Sequence, residues 1–406
     1  MDEITTNKNL PDIGFTETEL DFIQKNKDED VTRLVLKSSQ FKGLDVKKLA
    51  AQILSRQKAS KKLPEWSSVE KLIFPPALSV EQCSSEATAK YKSTLIRGKT
   101  LIDITGGMGV DSYYLSRNFD EAHYYEQQEV VAETARYNFA LLKAKNISVH
   151  NDDSIASLAS TNAQADWIYA DPARRDANKQ KVVLLSDCAP DVKFHLPELF
   201  KHAPNVLLKT SPLLDIDLAV QELKAVKEIH VMGYEQECKE LLFSLNKDSF
   251  DEELQIKARV VDSEGRIVHQ LDFTRAQERD AEMEFSEPLA YLYEPHPAVL
   301  KAGGFKSVCA AFHVKKLAVH SHLYTSKDPV ADFPGRGFEI IAVCKPDARE
   351  IAEYVPDNKA NLTIRNFPAK IDDLRKKWRL KEGGNLYLFA TTLSNQKKIV
   401  VVTKKL

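Results

Sequence analysis

The sequence predicts an α/β protein in which a parallel β-sheet lies between a helical N-terminal region and an α+β C-terminal region. Three observations indicate this fold class. Residues up to about 96 carry apolar side chains at helical spacing, strand-like apolar runs alternate with helical stretches from Lys99 onward, and the C-terminal end is rich in β-branched residues. Strands separated by helices form βαβ units, which make the strands parallel and place helices on both faces of the sheet.

Individual elements follow from local patterns. In the N-terminal region, apolar residues between Leu44 and Leu54 recur at helical spacing, and Ser84–Tyr91 has a serine start and internal alanines typical of a helix. Alternating runs around Ser263–Gly265 predict a β-hairpin over 254–273. The predicted parallel strands are 101–104, 123–126, 147–150, 167–171, 206–210 and 228–232.

The C-terminal third contains shorter candidates. The charged stretch 274–288 is the predicted linker, and Phe333–Gly337 is a predicted boundary turn. Residues 385–405 predict two final strands, the second strongly β-branched.

The composition excludes several classes of protein. The chain has 406 residues, of which 43% are hydrophobic and 29% charged, so it is neither disordered nor collagen-like. Its five scattered cysteines form no CxxC pair, and its histidines show no ligand spacing, so we expect no metal site and no disulfide framework. Without a membrane-length apolar run or a signal-peptide pattern, we expect a cytoplasmic protein with no membrane partner.

A glycine-rich loop joins the first predicted strand to a helix in the segment LIDITGGMGVD, residues 101–111. Small residues at such a junction let a ligand approach the backbone and let the helix pack close to the strand. A purely structural turn is the alternative. The lysine of a phosphate-binding GxxxxGK[ST] loop is absent, which disfavours an NTPase.

Acidic residues stand at the ends of the next three strands. Glu126 follows the second strand, where a carboxylate accepts hydrogen bonds from both ribose hydroxyls of a bound nucleoside, unless it is simply solvated. Asp152 and Asp153 follow the third strand, where one of them could meet an adenine amino group or cap a helix. Asp171 follows the fourth strand, and Pro172 fixes the turn behind it.

These motifs in this order resemble those of the class I S-adenosylmethionine-dependent methyltransferases over residues 99–273. The resemblance implies a Rossmann-like sheet of seven strands with the last antiparallel, whose end the 254–273 hairpin would supply. It implies S-adenosylmethionine as cofactor, with Glu126 at the ribose and Asp153, rather than Asp152, at the adenine. Thr105 replaces the family's usual first loop glycine and Gly106 is an extra one. The remaining implied cofactor-binding residues are Asp103, Thr105, Gly106, Gly107, Gly109 and Asp171.

The segment Asp171-Pro172-Ala173-Arg174 resembles the corresponding element of the RNA 5-methyluridine methyltransferases, which use a cysteine on the next strand as nucleophile. Here that strand has no cysteine, and Cys188 lies upstream of it. We therefore expect transfer to nitrogen or oxygen, with Asp171 orienting or deprotonating the acceptor. Arg174 would clamp a phosphate or stack on a base, or else pair with Asp176 or face solvent. Lys209 faces either the cleft or the surface.

The ends of the chain are candidates for nucleic-acid binding. Residues 37–62 carry a net charge of +7 and 370–381 a net charge of +4, with Trp66 and Trp378 nearby, which fits a phosphate-backbone footprint or solvated helix faces. Segments 294–306, 322–326, 333–340, 364–368 and 383–392 resemble a bacterial group in which ferredoxin-like and THUMP-like modules follow a methyltransferase core. THUMP domains bind structured RNA, notably transfer RNA.

The sequence thus predicts four domains: a helical domain (1–96), a class I methyltransferase domain (97–273), a ferredoxin-like module (274–332) and a THUMP-like module (333–406). The predicted function is methyl transfer from S-adenosylmethionine to RNA, with tRNA or rRNA as partner and Asp171 and Arg174 as catalytic residues. The alternatives are a methyltransferase of a small molecule or protein, and an RNA-binding protein without catalysis. The oligomeric state is left open.

Overall fold

The computed structural model describes residues 14–174, 184–249 and 253–406. The chain forms two compact units, the first comprising Met1–Lys227, Leu242–Glu252 and Val261–Arg266, and the second Glu228–Leu241, Glu253–Val260 and Ile267–Leu406. The helices are α1 (Glu17–Lys25), α2 (Val31–Leu36), α3 (Val46–Lys62), α4 (Pro64–Ser68), α5 (Ala77–Gln82), α6 (Glu86–Ser93), α7 (Val110–Ser116), α8 (Glu129–Leu141), α9 (Ser154–Ala159), α10 (Val192–His202), α11 (Ile216–Leu223), α12 (Arg275–Asp280), α13 (Pro297–Ala302), α14 (Phe305–Phe312), α15 (Ala348–Tyr354) and α16 (Ile371–Trp378). The strands are β1 (Gly98–Asp103), β2 (Phe119–Tyr125), β3 (Ile147–His150), β4 (Trp167–Ala170), β5 (Ala173–Arg174), β6 (Cys188–Ala189), β7 (Asn205–Thr210), β8 (Val226–Tyr234), β9 (Glu237–Asn246), β10 (Gln255–Val261), β11 (Ile267–Thr274), β12 (Tyr291–Pro295), β13 (Lys315–Lys316), β14 (Tyr324–Ser326), β15 (Gly335–Cys344), β16 (Asn361–Arg365), β17 (Leu386–Thr392) and β18 (Lys398–Lys405).

The N-terminal region is helical, as predicted. Helix α3 contains the predicted periodic segment; Asp45 caps its start by accepting a hydrogen bond from the Lys48 N–H (3.2 Å), and Leu49 and Ile53 are buried on one face. Helix α6 forms at the second predicted site behind the N-cap residue Ser85. Ala59 of α3 and Ala89 of α6 belong to one buried cluster, against which Met108 of the glycine loop packs.

All six predicted strands are present, as β1, β2, β3, β4, β7 and β8. They belong to a nine-stranded sheet of order β11-β10-β8-β9-β7-β4-β1-β2-β3. The β1–β2, β1–β4, β2–β3 and β4–β7 ladders are parallel. The carboxyl ends of these five strands therefore share one edge, where ligands bind in open α/β sheets.

The sheet has nine strands instead of the seven that the family resemblance implied, and one of them, β9, was not predicted from the sequence. Only Glu235 and Gln236 join β8 to β9, so these neighbouring strands are antiparallel. Strand β9 stands between β7 and β8, and the hairpin predicted over 254–273 forms β10 and β11 beyond β8 instead of ending a seven-stranded sheet. The adjacent charges of Lys239 and Glu240 hide the strand pattern, although Glu240 is buried.

The second unit contains a seven-stranded sheet of order β13-β14-β12-β15-β18-β17-β16. The two predicted C-terminal strands are confirmed as β17 and β18, which pair antiparallel. Strand β12 pairs with β15 over Tyr291↔Glu339 to Pro295↔Gly335. This ladder joins the predicted ferredoxin-like and THUMP-like modules into one sheet.

The predicted linker at 274–288 is partly a packed helix. Helix α12 begins behind Thr274, whose side chain caps it, and Glu278 accepts hydrogen bonds from the backbone N–H groups of Lys306 and Ser307. The charged composition of this stretch therefore reflects a capped helix that anchors the start of α14. In the part of the chain that the structure describes, no helix is both long and apolar enough to cross a membrane.

Candidate functional site

The glycine loop is shaped by close contacts and by left-handed backbone. Gly109 has φ +82°, and a Cβ there would stand 2.5 Å from the Phe139 ring. A Cβ on Gly106 would stand 2.5 Å from the Tyr124 ring, so both positions require glycine. Gly107 differs: its φ is +59°, but the space around its Cβ position is open except for Thr105 O at 3.6 Å. The loop therefore packs tightly against Tyr124 and Phe139 at Gly106 and Gly109, and leaves open space beside Gly107.

Asp103 holds the glycine loop in place through hydrogen bonds. It ends β1 with only 2% exposure, and its carboxylate accepts hydrogen bonds from the backbone and hydroxyl of Thr105 (2.9 and 3.2 Å) and from the Ser112 hydroxyl. Burial raises the pKa of Asp103 to about 7, against the opposing effect of these hydrogen bonds. This buried carboxylate therefore orders the loop. It would affect a bound ligand only through the position of the loop.

Glu126 is fixed between the loop and the turn after β2. Its Oε2 accepts a hydrogen bond from the Gly107 N–H (2.9 Å) and its Oε1 one from the Gln128 N–H (2.8 Å). Each carboxylate oxygen has a further lone pair, so the group is positioned and can still accept hydrogen bonds from two hydroxyls. The structure thus brings Glu126 and the glycine loop together, as the sequence predicted.

Asp152 and Asp153 follow β3 at the same edge. Asp153 Oδ1 caps α9 by accepting from the N–H groups of Ile155 (2.9 Å) and Ala156 (3.0 Å), as the helix-cap alternative proposed. Its Oδ2 accepts from the Gln127 amide (2.9 Å). Asp152 also carries local hydrogen bonds, and its pKa is lowered mainly by the Ser157 hydroxyl. Both carboxylates are exposed.

Asp171 lies directly after β4 and is linked to the glycine loop. Its N–H donates to the Thr105 hydroxyl (2.7 Å), and that hydroxyl donates to Asp103 (3.2 Å). The Asp171 side chain is 38% exposed, and Oδ2 pairs with the Lys209 ammonium at the end of β7. Lys209 therefore faces Asp171 at the sheet edge, which decides between the two orientations that the sequence left open.

A buried acid beneath Asp171 was not anticipated from the sequence. Asp111, in the first turn of α7, pairs with Lys92 at 2.9 Å and lies 3.8 Å from Lys209. It also accepts hydrogen bonds from the hydroxyls of Tyr169 (2.6 Å) and Ser84 (2.7 Å). Burial alone would raise the pKa of Asp111, but the two ammonium groups outweigh it and lower the pKa to about 2. No sequence motif marks this contact, because its members come from four separate elements and from the loop that holds Ser84.

Arg174 lies in β5, and the structure does not describe its side chain; Asp176, its alternative partner, lies outside the described residues. Strand β5 pairs with β6, which puts Cys188 opposite Arg174. Cys188 is buried, and its thiol donates to Leu184 O at 3.8 Å. The cysteine is thus nearer the Asp-Pro-Ala-Arg segment than its sequence position suggested, while the prediction of a mechanism without a thiolate stays a prediction.

The basic runs differ from the predicted footprint. Trp66 and Trp378 are buried, with 0% and 2% exposure, so the expectation of aromatic residues interleaved with surface charges was wrong. Arg56 is also buried, and its guanidinium donates to backbone carbonyls of the segment 67–72. Arg375 pairs with Glu382 at 3.1 Å. The exposed lysines of these runs are Lys37, Lys42, Lys47, Lys58, Lys61, Lys370, Lys376, Lys377 and Lys381.

Comparisons with known proteins define the family. The crystal structure titled "putative methyltransferase from Porphyromonas gingivalis W83" is 31% identical, covers 96% of this chain and 99% of its own, and superposes with a TM-score of 0.85. The chain belongs to the family of this protein. Family models match residues 291–334 (ferredoxin-like domain), 335–405 (THUMP domain-like) and 80–187 (Conserved hypothetical protein 95). The family therefore combines a methyltransferase-like fold with ferredoxin-like and THUMP-like domains.

Two other solved structures match about two fifths of the chain. A Streptococcus mutans protein titled a putative methyltransferase in complex with SAH is 14% identical over 40% of this chain and 96% of its own, with a TM-score of 0.28. The tRNA m1G37 methyltransferase of M. jannaschii is 11% identical over 39% of this chain and 47% of its own, with a TM-score of 0.27. At this level of similarity neither protein indicates what this chain does. No curated protein matches the chain.

The described residues contain no cluster of three or more histidine, cysteine, aspartate or glutamate side chains able to hold a metal ion. The sheet edge holds separate carboxylates, the Lys209 ammonium beside Asp171, and open space beside Gly107. Carboxylates only accept hydrogen bonds when ionised, so this set suits a ligand rich in hydroxyl and amino donors and of positive charge.

Proposed function

We propose that the protein is an S-adenosylmethionine-dependent methyltransferase that acts on RNA at a nitrogen or oxygen atom. The observation that carries this proposal is the Thr105 hydroxyl, which connects Asp103 under the glycine loop to the backbone of Asp171. The Thr105 side chain thereby fixes the distance between the glycine loop and the end of β4, where Asp171 lies. Methyl transfer needs such fixed spacing, because the methyl group and the acceptor must stand in line.

The residues at the edge fit this cofactor. Glu126 would accept hydrogen bonds from the ribose hydroxyls, each worth roughly 1.5–3 kcal/mol as a charge-assisted bond. The open space beside Gly107, in the loop that also contains Gly106 and Gly109, would hold the methionine part, and Asp153 would face the adenine. When bound, S-adenosylmethionine supplies an electrophilic methyl group on a positively charged sulfur.

Asp171 is the residue that we assign to the methyl acceptor. Its partly exposed carboxylate stands at the carboxyl edge of the sheet, where it would bind the acceptor group and take its proton. Arg174, two residues beyond the turn at Pro172, would bind a phosphate or stack on a base. Because these roles need only a positioned acceptor group, Cys188 is given no nucleophilic role.

RNA as substrate is supported by the THUMP domain-like match at 335–405 and by the exposed lysines of the two basic runs. We divide the chain into a helical domain (1–96), a methyltransferase domain (97–273), a ferredoxin-like module (274–332) and a THUMP-like module (333–406). We place the protein in the cytoplasm, where thiols stay reduced; none of the five cysteines, all of which lie in the described residues, forms a disulfide.

The test is to incubate the protein with methyl-tritiated S-adenosylmethionine and an extract of a strain that lacks the gene, and then to separate RNA, protein and small molecules. We expect label in the RNA fraction that is lost with Asp171→Ala. Label only in protein or small molecules would assign the enzyme to another substrate class. Cofactor binding without any transfer would favour the alternative, an RNA-binding protein with a methyltransferase-like fold that does not catalyse.

A further inference from the structure

Four side chains form a line of alternating charge that ends at the proposed acceptor site. Lys92 pairs with Asp111 at 2.9 Å, Asp111 lies 3.8 Å from Lys209, and Lys209 pairs with Asp171. Lys92 has 0% side-chain exposure, Asp111 and Lys209 have 10% each, and Asp171 has 38%. The line therefore opens to solvent at Asp171.

The backbone holds Lys209 and Asp171 side by side. Strands β4 and β7 pair parallel with Ala170 opposite Leu208, so the following residues, Asp171 and Lys209, are neighbours at the sheet edge. Burying charges costs several kcal/mol per ion unless they are paired. Lys92 and Asp111 already neutralise each other, so packing alone does not require a second ammonium. Lys209 instead places a fixed positive charge against the acceptor carboxylate.

This charge separates two classes of acceptor. An amino nitrogen attacks as a neutral group and becomes positive in the transition state, which a neighbouring ammonium opposes. A ring nitrogen of a lactam, the N–H beside a C=O, loses its proton and spreads negative charge onto the oxygen. A carboxylate that takes the proton and an ammonium that donates to this oxygen both stabilise the second reaction.

We propose that Asp171 and Lys209 together select a lactam edge of an RNA base, such as guanine N1–H with O6 or uracil N3–H with O4; this inference rests on the proposed function. The N–H bond breaks and its proton passes to the Asp171 carboxylate. The nitrogen electron pair forms the new N–CH₃ bond, and the electron pair of the broken S–CH₃ bond stays on sulfur. Lys209 donates a hydrogen bond to the carbonyl oxygen on which the charge collects.

The first test identifies the product. RNA labelled with methyl-tritiated S-adenosylmethionine is digested to nucleosides, and the labelled nucleoside is matched to standards. We expect 1-methylguanosine or 3-methyluridine. Label in a methylated amino group, in a 2′-O-methyl group or at a ring carbon overturns this inference and leaves RNA methylation standing. Absence of label from RNA overturns the proposed function and this inference with it.

The second test separates chemistry from folding. Lys209→Met leaves Lys92 paired with Asp111, so we expect a folded variant with unchanged cofactor affinity, whose unfolding midpoint falls because Asp111 and Asp171 each lose an ammonium neighbour. The rate of transfer should fall about 100-fold, the usual effect of removing one donor to a developing oxyanion, and Lys209→Arg should restore part of it. Lys201→Met, at an exposed position of α10, serves as the control. A Lys209→Met enzyme that transfers methyl groups at the wild-type rate would overturn the inference.

Discussion

Asp111→Asn should destabilise the first unit strongly. The substitution keeps acceptors for the Tyr169 and Ser84 hydroxyls but removes the negative charge beside Lys92, whose side chain has 0% exposure. Breaking a buried ion pair by removing one partner typically costs about 3–5 kcal/mol, because the other charge stays buried without compensation. The free energy of unfolding, measured by urea denaturation, should fall by this amount.

A double-mutant cycle tests the reason for that loss. Lys92→Met removes the stranded charge, so the double variant with Asp111→Asn should be more stable than the sum of the single losses predicts. Asp120→Asn, at an exposed position, is the control. The pKa of Asp111 is lowered to about 2, so its contribution is present above pH 4 and is lost as the pH falls towards 2. Additive losses, or an Asp111→Asn variant within about 0.5 kcal/mol of wild type, would refute the reasoning.

Three further predictions concern other parts of the chain. Gly109→Ala should cost more stability than Gly43→Ala, since both have φ +82° but only at Gly109 does a Cβ meet the Phe139 ring; urea denaturation of both variants measures the difference. Burial raises the pKa of Asp103 to about 7, so wild type should lose stability relative to Asp103→Asn as pH rises from about 4 to 7, with a flat difference being the contrary result. Glu294→Gln should lower the stability of the second unit by about 1–3 kcal/mol in urea, because the buried carboxylate pairs with two partly exposed arginines; an unchanged midpoint would show that these pairs contribute nothing.

Most of the parallel sheet could be predicted from the sequence, because apolar strands separated by helices leave a strong pattern. Strand β9 could not be predicted, because the charged residues Lys239 and Glu240 interrupt its apolar pattern. A glutamate is more typical of a loop than of a buried strand, yet Glu240 is buried here. Trp66 and Trp378 show a related limit. A tryptophan near a basic run has the same pattern whether it lies on the surface or in the core, and only the fold reveals that both are buried.

The cofactor side of the site was easier to predict than the acceptor side. Glu126 and the glycine loop sit at consecutive strand ends, so sheet topology alone brings them together. The line from Lys92 through Asp111 to Lys209 joins residues far apart in sequence, and no spacing rule connects them. The orientation of Lys209 was open for the same reason, because a lysine at a strand end can point to either face.

The most direct test of the account is the binding of S-adenosylmethionine measured by titration calorimetry. We expect one site per chain in wild type and a dissociation constant about 10- to 100-fold higher in Glu126→Gln, which loses charge-assisted bonds to the ribose. The exposed Glu129→Gln in α8 should bind as wild type does. No binding by wild type, or equal affinity in Glu126→Gln, would contradict the assignment of this edge as a cofactor site.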